Sequence, residues 1–360
     1  MSIYTLTVQG RATRDHSQTM NLKQLSEKLG LSPTTVSRAL NGYPEVSETT
    51  RQRIQAAAKK YNYFPSTRAK SLATGRSMAI GHVIPTDANS EMVNPIFGDF
   101  LAGAGETYAA SGYDIMLSAV RAENELQAYR DFAAKRSVDG VIVHGPRADD
   151  PRIALLKELE LPFVVHGRAP VADDSYSWLD INNRRAFQRA AQLLIDLGHS
   201  RIALINGQES MDFAQRRRTG YAAAMEAAGC ALRPEHMVAD EMTEGVGFNA
   251  ATQMLHGPNP PTAFLVSSII TAIGVRRAIG ARGLVLGRDV SVVIHDDEIS
   301  YLRNGDREPL FTATRSSVRA AGRRAGEILL QRIAQPSTPP IQELWDVELT
   351  LGQSTGPAPT

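Results

Sequence analysis

Two sets of side chains in this chain have types and spacings suited to molecular recognition. In SPTTVSRAL, Thr34 and Thr35 offer hydroxyls and methyls, and Ser37 and Arg38 follow within one helical turn. A helix fits the DNA major groove, and residues at its N-terminal end reach base edges. Ser37 suits a phosphate, Arg38 a base edge or a phosphate, and Arg51, Arg53, Lys59 and Lys60 add charge for the backbone. In the second set, Asp296 and Asp297 end the run VSVVIHDD, and Phe213 and Arg217 lie in FAQRRRTGYAAAM. A carboxylate accepts from paired hydroxyls, a guanidinium offers a planar fork and an aromatic ring gives an apolar floor, which together are the chemistry of sugar recognition. Such a carboxylate and guanidinium are also a common structural salt bridge, and the sequence alone leaves both readings open.

The first set needs a rigid helical platform. Leu22, Leu25 and Leu29 share one helical face, and Gly30 ends that helix. Ser32 is a good N-cap with Pro33 at the first helical position. The second helix runs through Val36 and Leu40 to Asn41-Gly42, with Asn41 counted among the DNA-facing residues. Ser47 caps a third helix that turns Ile54, Ala57 and Ala58 inward. This is a helix-turn-helix, or else a small bundle with a solvated basic face. Charge favours the former. Residues 1–77 carry twelve Lys/Arg and four Asp/Glu, a net of +8, against −7 for the rest. A basic head on an acidic body suits a polyanion met by the head alone.

The body must hold the second set. From Met78 onward, short apolar runs alternate with helical patterns. Strands are expected at 78–84, 114–118, 140–144, 163–166, 201–206, 263–266 and 290–294. Helices are expected at 94–111, 123–135, 183–197, 215–228, 245–255, 269–281 and 317–333. Such alternation predicts parallel sheets with helices on both faces. A chain of 360 residues has room for two or three domains.

The stretch LKQLSEKLGLSPTTVSRALNGYPEVSETTRQRIQAAAKKYNYFPSTRAKSLATGRS resembles the DNA-binding head of the lactose-repressor/galactose-repressor (LacI/GalR) family. The resemblance makes Met20 the usual start and 1–19 an extension expected to be disordered. It implies an all-α helix-turn-helix head at 20–64, a hinge helix or linker at 65–77, and an α/β periplasmic-binding-protein-like body at 78–353 with two parallel-sheet subdomains. Lobe 1 is expected at about 78–178 and 309–338, lobe 2 at about 179–308, a closing strand at about 346–351 and a fraying tail at 354–360. In the hinge, Arg68 adds charge and Leu72 matches the family's wedge between base steps. A plain linker is the other reading of that segment.

The resemblance also implies a ligand cleft between the lobes. It favours Asp296, the first member of the acidic pair, and, by alignment on Gly220, Arg217. Ser268 keeps a hydroxyl where the family has a ligand-facing residue, whereas Ile269 removes an acid. Gly167 stands where many members have an aspartate, leaving His166 or Arg168 to take over contacts, and Phe97 is a further candidate. The style of HGR and SSIITAIGVRRA resembles regulators of alpha-glucoside utilisation. A purine effector is the alternative, with Phe97, Tyr176 or Trp178 as stacking partners.

No nucleotide-binding glycine loop, GxSxG elbow or HExxH spacing occurs, so an enzyme, a cofactor or a metal is not expected. Lone Cys230 gives no disulfide framework. No apolar run is long enough for a membrane span and no secretory h-region opens the chain, so a cytoplasmic, nucleoid-associated place is expected. A transport solute-binding module and a DNA architectural protein are the competing classes. The expected partners are palindromic double-stranded operator DNA, a small sugar-like effector and a second copy of the chain.

Overall fold

The computed structural model describes residues 20–40, 43–63, 75–86, 94–169 and 175–359. Asn41, Arg68, Leu72 and the 1–19 extension lie outside these. The chain divides into two units, 1–76 and 77–360.

The first unit holds three helices, α1 (Leu22–Leu29), α2 (Pro33–Leu40) and α3 (Glu48–Lys60). Asn21 and Gln24 form a reciprocal capping box at the start of α1, and Gly30 ends it in the left-handed region at φ 64°. Ser32 Oγ accepts from the Thr35 amide at 3.1 Å, which starts α2. Leu25, Val36, Ala39, Ile54 and Ala58 meet in one small core.

The second unit contains two six-stranded sheets. The first sheet has the order β11-β5-β4-β3-β1-β2: β1 (Ala79–Pro85), β2 (Asp114–Val120), β3 (Gly140–His144), β4 (Phe163–His166), β5 (Ser177–Ile181) and β11 (Gln342–Trp345), all parallel. The second has the order β12-β10-β9-β8-β6-β7: β6 (Ile202–Asn206), β7 (Met237–Ala239), β8 (Ala263–Val266), β9 (Ser291–Asp296), β10 (Thr312–Arg315) and β12 (Glu348–Thr350), with only β12 antiparallel.

Strand side chains alternate between two cores, as a doubly covered sheet requires. Ile142 faces α4 (Pro95–Ala110) and α11 (Val318–Ala334), while its neighbours Val141 and Val143 face α5 (Glu125–Lys135) and α6 (Pro151–Glu158). In the second sheet Ile205 faces α9 (Glu244–Leu255) and α10 (Ile269–Ala281), and Leu204 faces α7 (Asn183–Asp196) and α8 (Asp212–Ala227). The helix pairs α4–α11, α7–α8 and α9–α10 each meet almost backbone to backbone: in the second, a Cβ on Gly220 of α8 would lie 2.0 Å from the Arg184 carbonyl of α7.

Two expectations need correction. Residues 309–338 do not join the first sheet as a block, because β10 pairs with β9 in the second, and the return to the first lobe begins only with α11. The crossings therefore lie at Ile181–Asn183, Arg315–Val318 and Trp345–Glu348. Nor does the tail fray. Val292 N–H donates to Ser354 O at 2.8 Å, Gly356 N–H to Ser291 Oγ at 3.1 Å and Ala358 N–H to Leu197 O at 2.8 Å. Ser354 is fully buried. These polar bonds give no apolar period, which is why the tail reads as loose in sequence.

Candidate functional site

Counting the first five strands of each in chain order, both sheets share the order 2-1-3-4-5. Ligands of open parallel sheets bind beyond the carboxyl ends of the strands at the switch point, here between β1 and β3 and between β6 and β8. The loops beyond β3 and β6 approach each other: Asp212 N–H at the head of α8 donates to Pro146 O at 3.0 Å, and Arg147 forms a bridge with Met211. A second contact joins the lobes where Asp99 of α4 accepts from Ser300 N–H and Oγ at 2.6 and 2.8 Å.

Arg217 is the centre of the second-lobe wall. It is only 5 % exposed. Its Nε donates to Asn183 Oδ1 at 2.8 Å and its Nη1 to Ser267 O at 2.9 Å. Phe187 and Phe213 flank the guanidinium at 5.0 and 4.9 Å from their ring centres, so the expected apolar surface at Phe213 stacks on the arginine itself. Burial lowers the Arg217 pKa to about 10, against the pull of Asp297 and Asp180.

The acidic pair divides its roles. Asp296 Oδ1 accepts from Glu298 N–H at 2.9 Å, closing the turn after β9. Asp297 is the member that lies in the field of Arg217, and burial pushes its carboxyl up to about 7 despite that charge. His295 backs it, with Nε2 at 3.5 Å from Asp297 Oδ1 and Nδ1 within 3.0 Å of Thr314 Oγ1. Burial holds His295 well below the ordinary histidine range, so the ring is neutral. Asp296, the sequence favourite, thus shapes the loop, while Asp297 shares the arginine.

Asn183 was not singled out in the sequence. It begins α7 directly after the first crossover and meets Arg217 because Gly220, three residues further along α8, lets the two helices touch. Its amide also approaches Asp180 Oδ1 at 3.5 Å, and Asp180 accepts from Arg168 Nε at 2.9 Å. The expected contact Arg168 therefore heads a polar chain running from the first lobe to the second. Burial raises Asp180 to about 6, opposed by Arg168.

Ser268 spends its hydroxyl on capping α10, accepting from Thr271 N–H at 3.2 Å, and is completely buried. The helix start consumes the group expected to face a ligand. Tyr176 is buried and stacks on Phe163 at 6.1 Å, and Trp178 lies under Arg168 at 5.3 Å. Two of the three stacking partners expected for a purine, Tyr176 and Trp178, are thus already engaged.

The first-lobe wall is a cluster of histidine and phenylalanine. His144 and His166, the last residues of β3 and β4, are paired in register and half-buried. Phe97 meets His144 edge-on at 4.8 Å, and Phe100 lies 4.9 Å from His144 and 4.4 Å from His166. Burial drops His166 to about 4. Phe97 and His166 thus fall together, but the central residue, His144, was missed because a strand-end histidine carries no motif of its own.

In the head, Thr34 and Arg38 are exposed and Thr35 and Ser37 half-buried on α2, and an open groove is lined by Ser32, Thr34, Thr35, Arg38, Glu45, Ser47 and Thr50. Lys59 and Lys60 are exposed at the end of α3. Arg51 differs from its expected phosphate role. Its Nη2 donates to Tyr43 O at 3.0 Å and Val46 O at 3.3 Å, pinning the loop between α2 and α3.

Comparison with known proteins decides the family. Residues 77–340 match the family described as periplasmic binding proteins and sugar binding domain of LacI family, and residues 21–66 match bacterial regulatory proteins, lacI family. The chain belongs to the LacI family. This LacI-family chain is 44% identical over 340 residues to the HTH-type transcriptional regulator AglR of Rhizobium meliloti (strain 1021), covering 94% of the chain and 95% of that relative. It is similar to the lac repressor dimer bound to operator and the anti-inducer ONPF, with TM-score 0.79 and 25% identity over 94% of this chain and 100% of that one. It is also similar to the transcriptional regulator CelR–cellobiose complex, with TM-score 0.68 and 26% identity over 93% and 99% of the two chains. As a LacI-family member it is a DNA-binding regulator whose body controls operator affinity in response to an effector. The family is regulatory, not catalytic. Among the described residues, no helix is long and apolar enough to cross a membrane.

Proposed function

We propose that this regulator is a homodimeric repressor of a palindromic operator whose grip is controlled by an uncharged sugar of the alpha-glucoside class. The observation that carries the reading is the Arg217 guanidinium, buried between two phenyl rings, tied to Asn183 and sharing its field with Asp297. The guanidinium and the buried carboxyl that shares its field offer donors and an acceptor, which suits vicinal hydroxyls. The name CelR–cellobiose complex says that one similar protein holds cellobiose, and the alpha-glucoside class is taken from the resemblance carried by HGR and SSIITAIGVRRA. In the head, Thr34, Thr35 and Arg38 read base edges, while Ser37, Lys59 and Lys60 hold phosphates.

Effector seated between the lobes pulls on the contacts at Pro146–Asp212 and Asp99–Ser300 and shifts the lobes. Operator and effector affinities then change reciprocally. The test combines a thermal-shift screen of alpha-glucosides, other sugars and purines with fluorescence anisotropy on a labelled operator. A raised melting temperature and a changed operator affinity with an alpha-glucoside are expected. A response to purines alone overturns the sugar assignment.

A further inference from the structure

The first-lobe wall holds a hydrogen-bonded chain that the effector reading has not used. Tyr108 of α4 is completely buried, and its hydroxyl lies 3.4 Å from His82 Nε2. His82 of β1 is completely buried as well, and its Nδ1 lies 2.9 Å from His144 Nε2. The two rings stack at 5.2 Å with an interplanar angle of 23°. His144, at the end of β3, is the only one of the three open to solvent, and its Nδ1 has no hydrogen-bond partner among the described residues.

The chain has a direction. Among the described residues the Tyr108 hydroxyl has one hydrogen-bond partner, so its hydrogen goes to His82 Nε2 or stays buried and unpaired, which is unfavourable. With Nε2 accepting, the neutral ring of His82 carries its proton on Nδ1 and donates it to His144 Nε2. His144 then carries its own proton on Nδ1. Burial holds His82 at about 3 and His144 well below its ordinary 6.5, so neither ring gains a second proton near neutral pH.

We infer that Tyr108 and His82 are positioning residues that fix His144 as a hydrogen-bond donor, through Nδ1–H, to an acceptor oxygen of the effector. The inference rests on the sugar reading only for the identity of that oxygen. A hydroxyl or glycosidic oxygen satisfies the donor. An ammonium or other pure donor group at this position meets a ring hydrogen and is rejected, so the relay selects ligands by hydrogen-bond polarity. Phe97 and Phe100, edge-on to the same ring, hold its plane.

Two measurements test this on the full-length protein. Magic-angle-spinning NMR with isotopically labelled histidine nitrogens reads the tautomer directly, with His144 assigned by the signal lost in His144→Asn. Protonated Nδ1 with bare Nε2 is expected, and the opposite tautomer overturns the relay whether or not any ligand binds. Calorimetric titration with maltose supplies the second readout. Tyr108→Phe should weaken maltose about tenfold and mix the histidine tautomers, and His144→Leu should weaken it at least as much. His144→Asn, whose amide nitrogen stands near the former Nδ1, should recover most of the loss. If wild type binds no alpha-glucoside, the sugar reading fails and the NMR alone decides the relay. If wild type binds maltose and all three variants bind it equally well, the relay is overturned.

Discussion

Arg217 Nε donates to Asn183 Oδ1 across 2.8 Å, so the buried cation of the second lobe is fixed to the first helical residue after the chain leaves the first lobe. A change at either residue reaches both the ligand wall and a crossover. Arg217→Met keeps the length of the side chain but removes the fork. Effector affinity should fall roughly ten- to a hundredfold, the range for losing hydrogen bonds to a charged group. Operator affinity without effector should stay near wild type, and anisotropy with and without sugar separates the two. Loss of both in a folded protein would place Arg217 outside the ligand wall.

Buried carboxyls and buried histidines push the pH dependence of stability in opposite directions. Asp297 and Asp180 are raised to about 7 and about 6, so their contribution is complete below the ordinary carboxyl range near 4 and is lost as pH rises toward 7. His82 and His166 are lowered to about 3 and about 4, so theirs is complete above 6.5 and is lost as pH falls. Asp297→Asn removes part of the opposing slope. Between pH 7 and 4 the variant should lose melting temperature more steeply than wild type, as followed by circular dichroism. A parallel decline of the two proteins would remove Asp297 from this balance.

Head residues should separate by mechanism. Lys59→Ala should reduce the salt slope of operator binding by about one unit and weaken all sequences similarly. Thr34→Ala should alter base preference at one half-site position with the slope preserved. Arg51→Ala should act through folding, since it frees the Tyr43 and Val46 carbonyls to water, at a cost of about 0.5–1.5 kcal/mol. Melting of the isolated 20–76 segment is not needed to see this: operator binding by the full chain should fail at a lower temperature than in wild type.

Gly220→Ala tests the geometry beneath the site. The added Cβ would stand 2.0 Å from the Arg184 carbonyl, so α7 and α8 must part. Overpacking of this kind costs about 1–3 kcal/mol or more. The melting temperature and the sugar response should fall together, because Asn183 and Arg217 sit on the two separated helices. An unchanged sugar response at lowered stability would show that the pair can be re-formed.

Some of this architecture is visible in the residue pattern. β3, β4, β8 and α10 fall on their expected bounds because each is a clean apolar run with a turn or cap at its end. β5, β7, β10, β11 and α6 escape notice for physical reasons. TATR and QELW bury few large apolar groups, MVA is three residues long, and PRIALLKE hides Arg152 against Glu125 and Asp150 instead of showing a clear stripe. At the site, the resemblance to the family pointed to Arg217, by alignment on Gly220, and to the acidic pair. Which aspartate faces the arginine depends on the turn bond from Glu298 N–H to Asp296, a backbone detail. Asn183 and His82 act through partners 34 and 62 residues away, and no local spacing records that.

The return of Ser354, Gly356 and Ala358 to the second sheet has a consequence for synthesis. The first sheet needs β11 and the second needs β12 and these bonds, so neither sheet is complete until the chain has been made and released through Ala358. Half-built parallel sheets with open edges are prone to associate with one another. Shortening the chain by even a handful of C-terminal residues should therefore show first as poor yield of soluble protein, before any defect in gene control is measured.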